Sequence, residues 1–119
     1  MSRTVAEASQ RYYRDLADRG DFESVPMADD LLFRGPLHAY ADGVRYRRDC
    51  VELAAKARSL VIRYQFIDAD EVHTVYDFDL GLPGGPIASS ETLRFDNGVM
   101  VQADLLIDTS PLRATAPGS

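Results

Sequence analysis

Apolar residues along this chain change their spacing twice, and the changes divide it into a helical first half and a stranded second half. Over 4–19, Val5, Ala8, Tyr12 and Leu16 recur at helical intervals, and Thr4 followed by Glu7 makes a capping box. Gly20-Asp21 ends that helix and predicts a second short one over 22–28, interrupted by Pro26. Leu31-Leu32-Phe33 is a brief strand stopped by Gly35-Pro36, and 38–43 is a polar loop with Gly43 at the entry to the next helix. Over 44–59, Tyr46, Cys50, Leu53, Ala54 and Ala57 again keep a period near about 3.6, with a charged outer face.

From Leu60 the period becomes two. Leu60, Ile62, Tyr64 and Phe66 alternate with Val61, Arg63 and Gln65. After an acidic turn at Asp68-Ala69-Asp70, Val72, Thr74, Tyr76, Phe78 and Leu80 alternate with His73, Val75, Asp77 and Asp79. An odd-length turn would set Phe66 and Val72 on one face. Residues 81–86 link to a last hairpin around Asp96-Asn97-Gly98. A two-residue Asn-Gly loop would oppose Glu91 to Asp104 and Leu93 to Gln102, whereas a three-residue loop with Gly98 left-handed avoids both clashes. One face then carries Glu91, Leu93, Phe95, Val99, Val101, Ala103, Leu105 and Ile107, with Met100 and Gln102 on the other. Glu91 becomes a lone carboxylate on an apolar face.

Helices first and an antiparallel four-strand meander plus one short strand afterwards make an α+β arrangement, a curved sheet wrapped on helices as a cone that encloses a cavity. The 119 residues, 45% hydrophobic, suit one domain with one core, taken as 1–109, with 110–119 as a flexible tail. A formal net charge of -6 argues against nucleic acid and anionic membrane surfaces. The one basic knot, Arg45 to Arg48, reads as a solvated helix start. A single cysteine, Cys50, excludes an internal disulfide or a cysteine metal cluster and reads as core. With neither a signal-peptide core nor ~18 successive apolar residues, the expected location is cytoplasmic. No phosphate loop, nucleophile motif or metal-spaced cluster is visible, so no cofactor and no metal is expected.

The order GDFESVPMADDLLFRGP, then Gly43 before a helix, then FIDADEV, then ETLRFDNGVMVQADLLID, resembles the nuclear-transport-factor-2-like (NTF2-like) superfamily and its SnoaL-like branch of ketosteroid isomerases, polyketide cyclases and limonene epoxide hydrolases. The resemblance spans about residues 4 to 108. It implies a cone-shaped fold, commonly a homodimer, with a pocket for a small apolar ligand or substrate between the helices and the concave sheet face. In the isomerases an Asp base works with an oxyanion hole made of a Tyr and a protonated Asp. The resemblance carries the Tyr onto Tyr12, with Tyr13 as the ungapped alternative, and the protonated acid onto Glu91. It carries the base onto Gly35, the last-strand aspartate of the cyclases onto Leu105, and the hydrolase Arg-x-Asp pair onto Tyr76 and Phe78, so those roles are empty here.

An acid on an apolar face keeps its proton near neutrality and can donate it to a carbonyl oxygen. The bland alternatives for Glu91 are a pair with Arg63, a backbone amide, or a wet strand end. His38, after Gly35-Pro36, could replace the missing base, although a loop histidine is usually just solvated. His73 is expected to face outward. Tyr13, Phe33, Tyr64, Phe66, Thr74, Tyr76, Phe78, Leu93, Ala103 and Leu105 are the expected pocket lining. Two functions fit: an acid/base isomerase or cyclase acting on an apolar carbonyl compound, polyketide- or steroid-like, through Glu91, Tyr12 and His38, or a non-catalytic ligand-binding or dimerisation module.

Overall fold

The computed structural model describes residues 2–113. The elements run α1 (Ser2–Ala17), β1 (Met27–Arg34), β2 (Ala39–Ala41), α2 (Gly43–Ala54), β3 (Ser59–Asp68), β4 (Glu71–Asp79), β5 (Ile87–Asp96), β6 (Val99–Ile107) and a single helical turn, α3 (Ser110–Arg113). The strands form one curved sheet in the order β2-β1-β6-β5-β4-β3, and the helices cover its concave face in an α+β cone. Residues 114–119 of the expected tail lie outside the described residues.

The apolar stripes of both helices supply one side of the core. Val5, Ala8, Tyr12 and Leu16 of α1 and Tyr46, Cys50 and Ala54 of α2 are buried, opposite Val72, Tyr76 and Phe78 of β4 and Leu93 and Phe95 of β5. Helix α1 already includes Ser2, so Thr4 lies within its first turn. Asp42 caps α2, its carboxylate accepting from the Arg45 N–H at 3.0 Å. Gly43 is required at the entry because a Cβ there would collide with the Ala28 carbonyl of β1.

The expected helix over 22–28 is replaced by an irregular turn and the start of β1. Arg19 and Phe22 take left-handed φ values of 58° and 62°. The Phe22 N–H donates to Asp15, and Arg47 of α2 donates to the carbonyls of Phe22 and Val25. These bonds satisfy backbone groups that a helix would otherwise have used, and Phe22 is fully buried as a result. β1 is longer than the expected Leu31–Phe33 strand and pairs with β6 in parallel, while β2 forms within the expected polar loop and pairs with β1. The sheet therefore has six strands with one parallel pairing, not an all-antiparallel four plus one.

Two bulges set which side chains face inward. At the last hairpin, Asn97 and Gly98, both at positive φ, form the two-residue turn, and an extra residue at Val101 then shifts the register. Glu91 faces Leu105 and Leu93 faces Ala103 as the three-residue loop would require by parity, but Met100 pairs with Phe95 and is fully buried instead of outward. At the β3–β4 hairpin a two-residue turn, Ala69-Asp70, joins Asp68 to Glu71, and Arg63 is the bulge. Gln65 and Ile67 thus sit across from the inward residues Thr74 and Val72. Tyr64 and Phe66 pair with Val75 and His73 on the outer face, where they are 58% and 57% exposed. The expected pocket positions of Tyr64 and Phe66 are corrected by this even-length turn, since one residue of slip exchanges the two faces.

Candidate functional site

A pocket of about 470 Å³ opens between α2, the turn joining β1 to β2, and the inner face of β4, β5 and β6. Its walls are largely apolar, with Leu16, Phe33, Leu53, Phe78, Ile87 and Ile107 among the lining side chains. Glu91 and Leu105, paired across β5 and β6, both line it. One pair nearer the turn, Leu93 and Ala103 are completely buried and fill the core, so this cross-strand pair marks the pocket floor.

Glu91 is only 3% exposed, and its partners among the described residues are hydroxyl groups. Oε2 accepts from the Tyr12 hydroxyl at 3.2 Å. Oε1 accepts from Tyr13 at 2.9 Å and from Tyr76 at 3.4 Å. The Tyr12 and Tyr46 hydroxyls lie 2.6 Å apart, which extends the network from α1 to α2. Arg63 does not reach this carboxylate: it points out of the sheet and makes a bidentate pair with Asp77, both contacts at 2.8 Å. Burial is the largest influence on Glu91 and raises its pKa to about 7, against the three tyrosine donors, which favour the charged form. The four phenols are pushed well above their ordinary value, first by burial and then by neighbours including Glu91, so they remain hydrogen-bond donors throughout the ordinary pH range. Cys50, pushed up to about 12 by burial, is a neutral thiol in the same wall.

Helix geometry brings both candidate tyrosines to the acid. Successive residues on a helix diverge by about 100°, so Tyr12 and Tyr13 approach Glu91 from two sides and bind different oxygens. Tyr12, Tyr46 and Tyr76 line the pocket with Glu91, whereas Tyr13 lies behind it, against a groove between α1 and β3. His38 stands exposed at the mouth, on the turn closed by the Gly35 N–H donating to the His38 carbonyl at 2.8 Å. His73 faces outward, with its Nδ1 3.1 Å from the Thr92 hydroxyl. Phe33, Tyr76, Phe78 and Leu105 line the pocket. Thr74, Leu93 and Ala103 face inward but are buried beneath it and do not line it. No group of three or more side chains that could hold a metal occurs among the described residues.

The residues that sequence reasoning missed come from α2 and β2. Tyr46 read only as helix core, yet it is the second member of the tyrosine chain. Asp49 lines the wall one turn further on, accepting from the Tyr40 hydroxyl at 2.8 Å and lying 3.6 Å from Arg45, whose guanidinium stacks 4.0 Å above the Tyr40 ring. The spacing of Tyr46 and Cys50 with Asp49 on one side of α2 is visible in sequence. What was not visible is that this side faces a cavity.

No family model and no curated protein matches the sequence. Solved structures do. An NTF2-like protein of unknown function from Cytophaga hutchinsonii is 18% identical, with 92% of this chain and 94% of that one covered at a TM-score of 0.77. A steroid delta-isomerase from Pseudomonas aeruginosa is 16% identical over 92% of this chain and 84% of its own, at a TM-score of 0.75. A de novo designed protein with a curved β-sheet is equally near in shape, at 13% identity, 91% and 88% coverage and a TM-score of 0.76. The fold is therefore the NTF2-like cone, shared with steroid-isomerase-like proteins. A designed chain reaches the same shape, so the shape alone specifies no chemistry.

Proposed function

We propose that this cone binds a small, mostly apolar carbonyl compound, such as a polyketide- or steroid-like ring, and catalyses proton transfer on it as an isomerase or cyclase. The observation that carries this reading is one buried acid, bound among the described residues by hydroxyl groups, on the floor of a ligand-sized apolar pocket. With its pKa near about 7, a large share of Glu91 holds its proton at neutrality. A carbonyl oxygen arriving at the floor would accept from that acid and from Tyr12, which Tyr46 polarises in turn. Both donors strengthen as negative charge develops on the oxygen, which is the condition for lowering the barrier. The proton leaving the neighbouring carbon would pass to His38 or to water at the mouth and return at a different carbon.

Deuterium uptake tests this directly. Incubated with a cyclic β,γ-unsaturated ketone in D2O, the protein is expected to exchange the protons next to the carbonyl, read by NMR, faster than buffer does. Retention of the ketone without exchange instead supports the second reading, a non-catalytic binding module. That reading is favoured by the glycine at the base position, Gly35, and by Leu105 at the last-strand acid position. Absence of both binding and exchange across such ketones removes the carbonyl assignment.

The partner proposed for the outer sheet face is a second copy of the chain. Val61, Tyr64, Phe66 and Leu106 are each more than half exposed there, beside the opposed charges of Arg63 with Asp77 and Arg34 with Asp104. A two-fold axis on this face would bury the apolar residues and set each charge near its opposite. Sedimentation is expected to show a dimer that Phe66→Glu converts to monomer. A wild-type monomer at micromolar concentration would refute it.

A further inference from the structure

We infer that Asp49 and Arg45, at the mouth of the pocket, select an uncharged hydroxyl group, so that the substrate is a ring ketone hydroxylated at the end opposite its carbonyl. This rests on the proposed binding of a carbonyl at the floor and adds the other half of the ligand to it. Phe33 joins the two ends. Its ring lies 5.2 Å from that of Tyr46, whose hydroxyl belongs to the floor, and 5.4 Å from that of Tyr40 on β2. A Cβ at position 35 would come within 2.7 Å of the same ring, so Gly35 lets Phe33 lie against the turn at the mouth. The pocket wall is thus a run of aromatic contacts with a polar cluster at each end.

At the mouth, Tyr40 holds both members of the charged pair. Its hydroxyl donates to Oδ2 of Asp49 at 2.8 Å, and the Arg45 guanidinium sits 4.0 Å above its ring. Arg45 and Asp49 are 3.6 Å apart, an ion-pair contact longer than a hydrogen bond, and their side chains are 40% and 37% exposed. Tyr40 therefore keeps them oriented while they remain within reach of a ligand, the condition under which a polar contact adds affinity. Further along the same edge, Glu52 and Lys56 also line the pocket, so the edge presents two cations and two carboxylates. An anionic ligand end would meet as much repulsion as attraction there and would still lose its hydration. A hydroxyl escapes both penalties. It can donate to Asp49 and accept from Arg45, and bonds to charged partners are stronger than those between neutral groups.

Three enones that differ at one position test this by isothermal titration calorimetry: testosterone, the same steroid without its ring-D hydroxyl, and the same steroid with a ring-D carboxylate in its place. The wild type is expected to bind testosterone about tenfold more tightly than the deoxy form, the worth of one hydrogen bond to a charged group, and the carboxylate form no better than the deoxy form. Asp49→Leu is expected to bring testosterone and the deoxy form within about twofold of each other. Asp49→Asn, which removes only the negative charge, is expected to improve binding of the carboxylate form by about tenfold. Tyr40→Phe should narrow the hydroxyl preference to about threefold by freeing the carboxylate it holds. Each readout is a ratio within one protein, so a variant that is merely less stable leaves it unchanged. Equal binding of testosterone and the deoxy form by the wild type, a hydroxyl preference that survives Asp49→Leu, or tightest binding of the carboxylate form by the wild type overturns the inference and leaves carbonyl binding standing. The expected preference without proton exchange supports the inference and counts against the proposed catalysis alone. Failure of all three to bind overturns both.

Discussion

Glu91→Gln is expected to lower turnover of a carbonyl substrate by about 10²–10³-fold while leaving its binding within a few-fold of wild type. The amide has nearly the volume of the acid, and its carbonyl oxygen can still accept from Tyr13, so the floor keeps its shape. What it loses is an acidic proton that can move toward a developing oxyanion. An amide donor stabilises the substrate and the transition state almost equally, so the loss falls on kcat and not on KM. Tyr12→Phe removes the second donor and the link to Tyr46, and its effect should fall short of the sum because the two groups act on one oxygen. Equal kcat in wild type and Glu91→Gln on any substrate the protein turns over would eliminate Glu91 as the acid.

The same side chain should make folding stability fall as pH rises. In the unfolded chain Glu91 titrates near 4.5, and in the folded protein near about 7. Between those values the folded state holds a proton that the unfolded state has released. The stability this confers is complete below the lower value and is lost as pH passes through the upper one. A displacement of that size corresponds to about 3 kcal/mol between pH 4 and pH 8. Urea titrations of wild type and Glu91→Gln remove the contributions of the other carboxylates by difference. The variant's advantage over wild type should grow by about that amount from pH 4 to pH 8, and parallel stability curves would mean that Glu91 ionises at no cost in its buried position.

The fold was legible because its signals are local and mutually consistent. The stripe from Val5 to Leu16, the alternation from Val72 to Phe78 and the Asn97-Gly98 turn each specify an element without reference to the others. Glu91 was legible for the same reason, since the parity of β5 and β6 fixes its face whether the adjustment is a longer loop or a bulge at Val101. Tyr64 and Phe66 were not. Their face depends on the length of one turn and on a bulge at Arg63, and Val61, Tyr64 and Phe66 are as apolar as any core strand. Phe22 and the β1 start were hidden in another way. Arg47, twenty-five residues away, supplies the bonds that make an irregular turn acceptable, and no local pattern announces it. Tyr46 needed the packing of α1 against α2 before it could be paired with Tyr12.

Strand β3 is an end strand of the sheet, ten residues long, with Val61, Ile62, Tyr64, Phe66 and Ile67 all exposed. A flat strand of that composition would be a template on which further chains could add without limit. The extra residue at Arg63 breaks its row of free amides and carbonyls into two short runs, out of register with any straight incoming strand. The same extra residue that puts Ile62 and Tyr64 on opposite faces thus also guards the protein against uncontrolled edge-to-edge fibre growth.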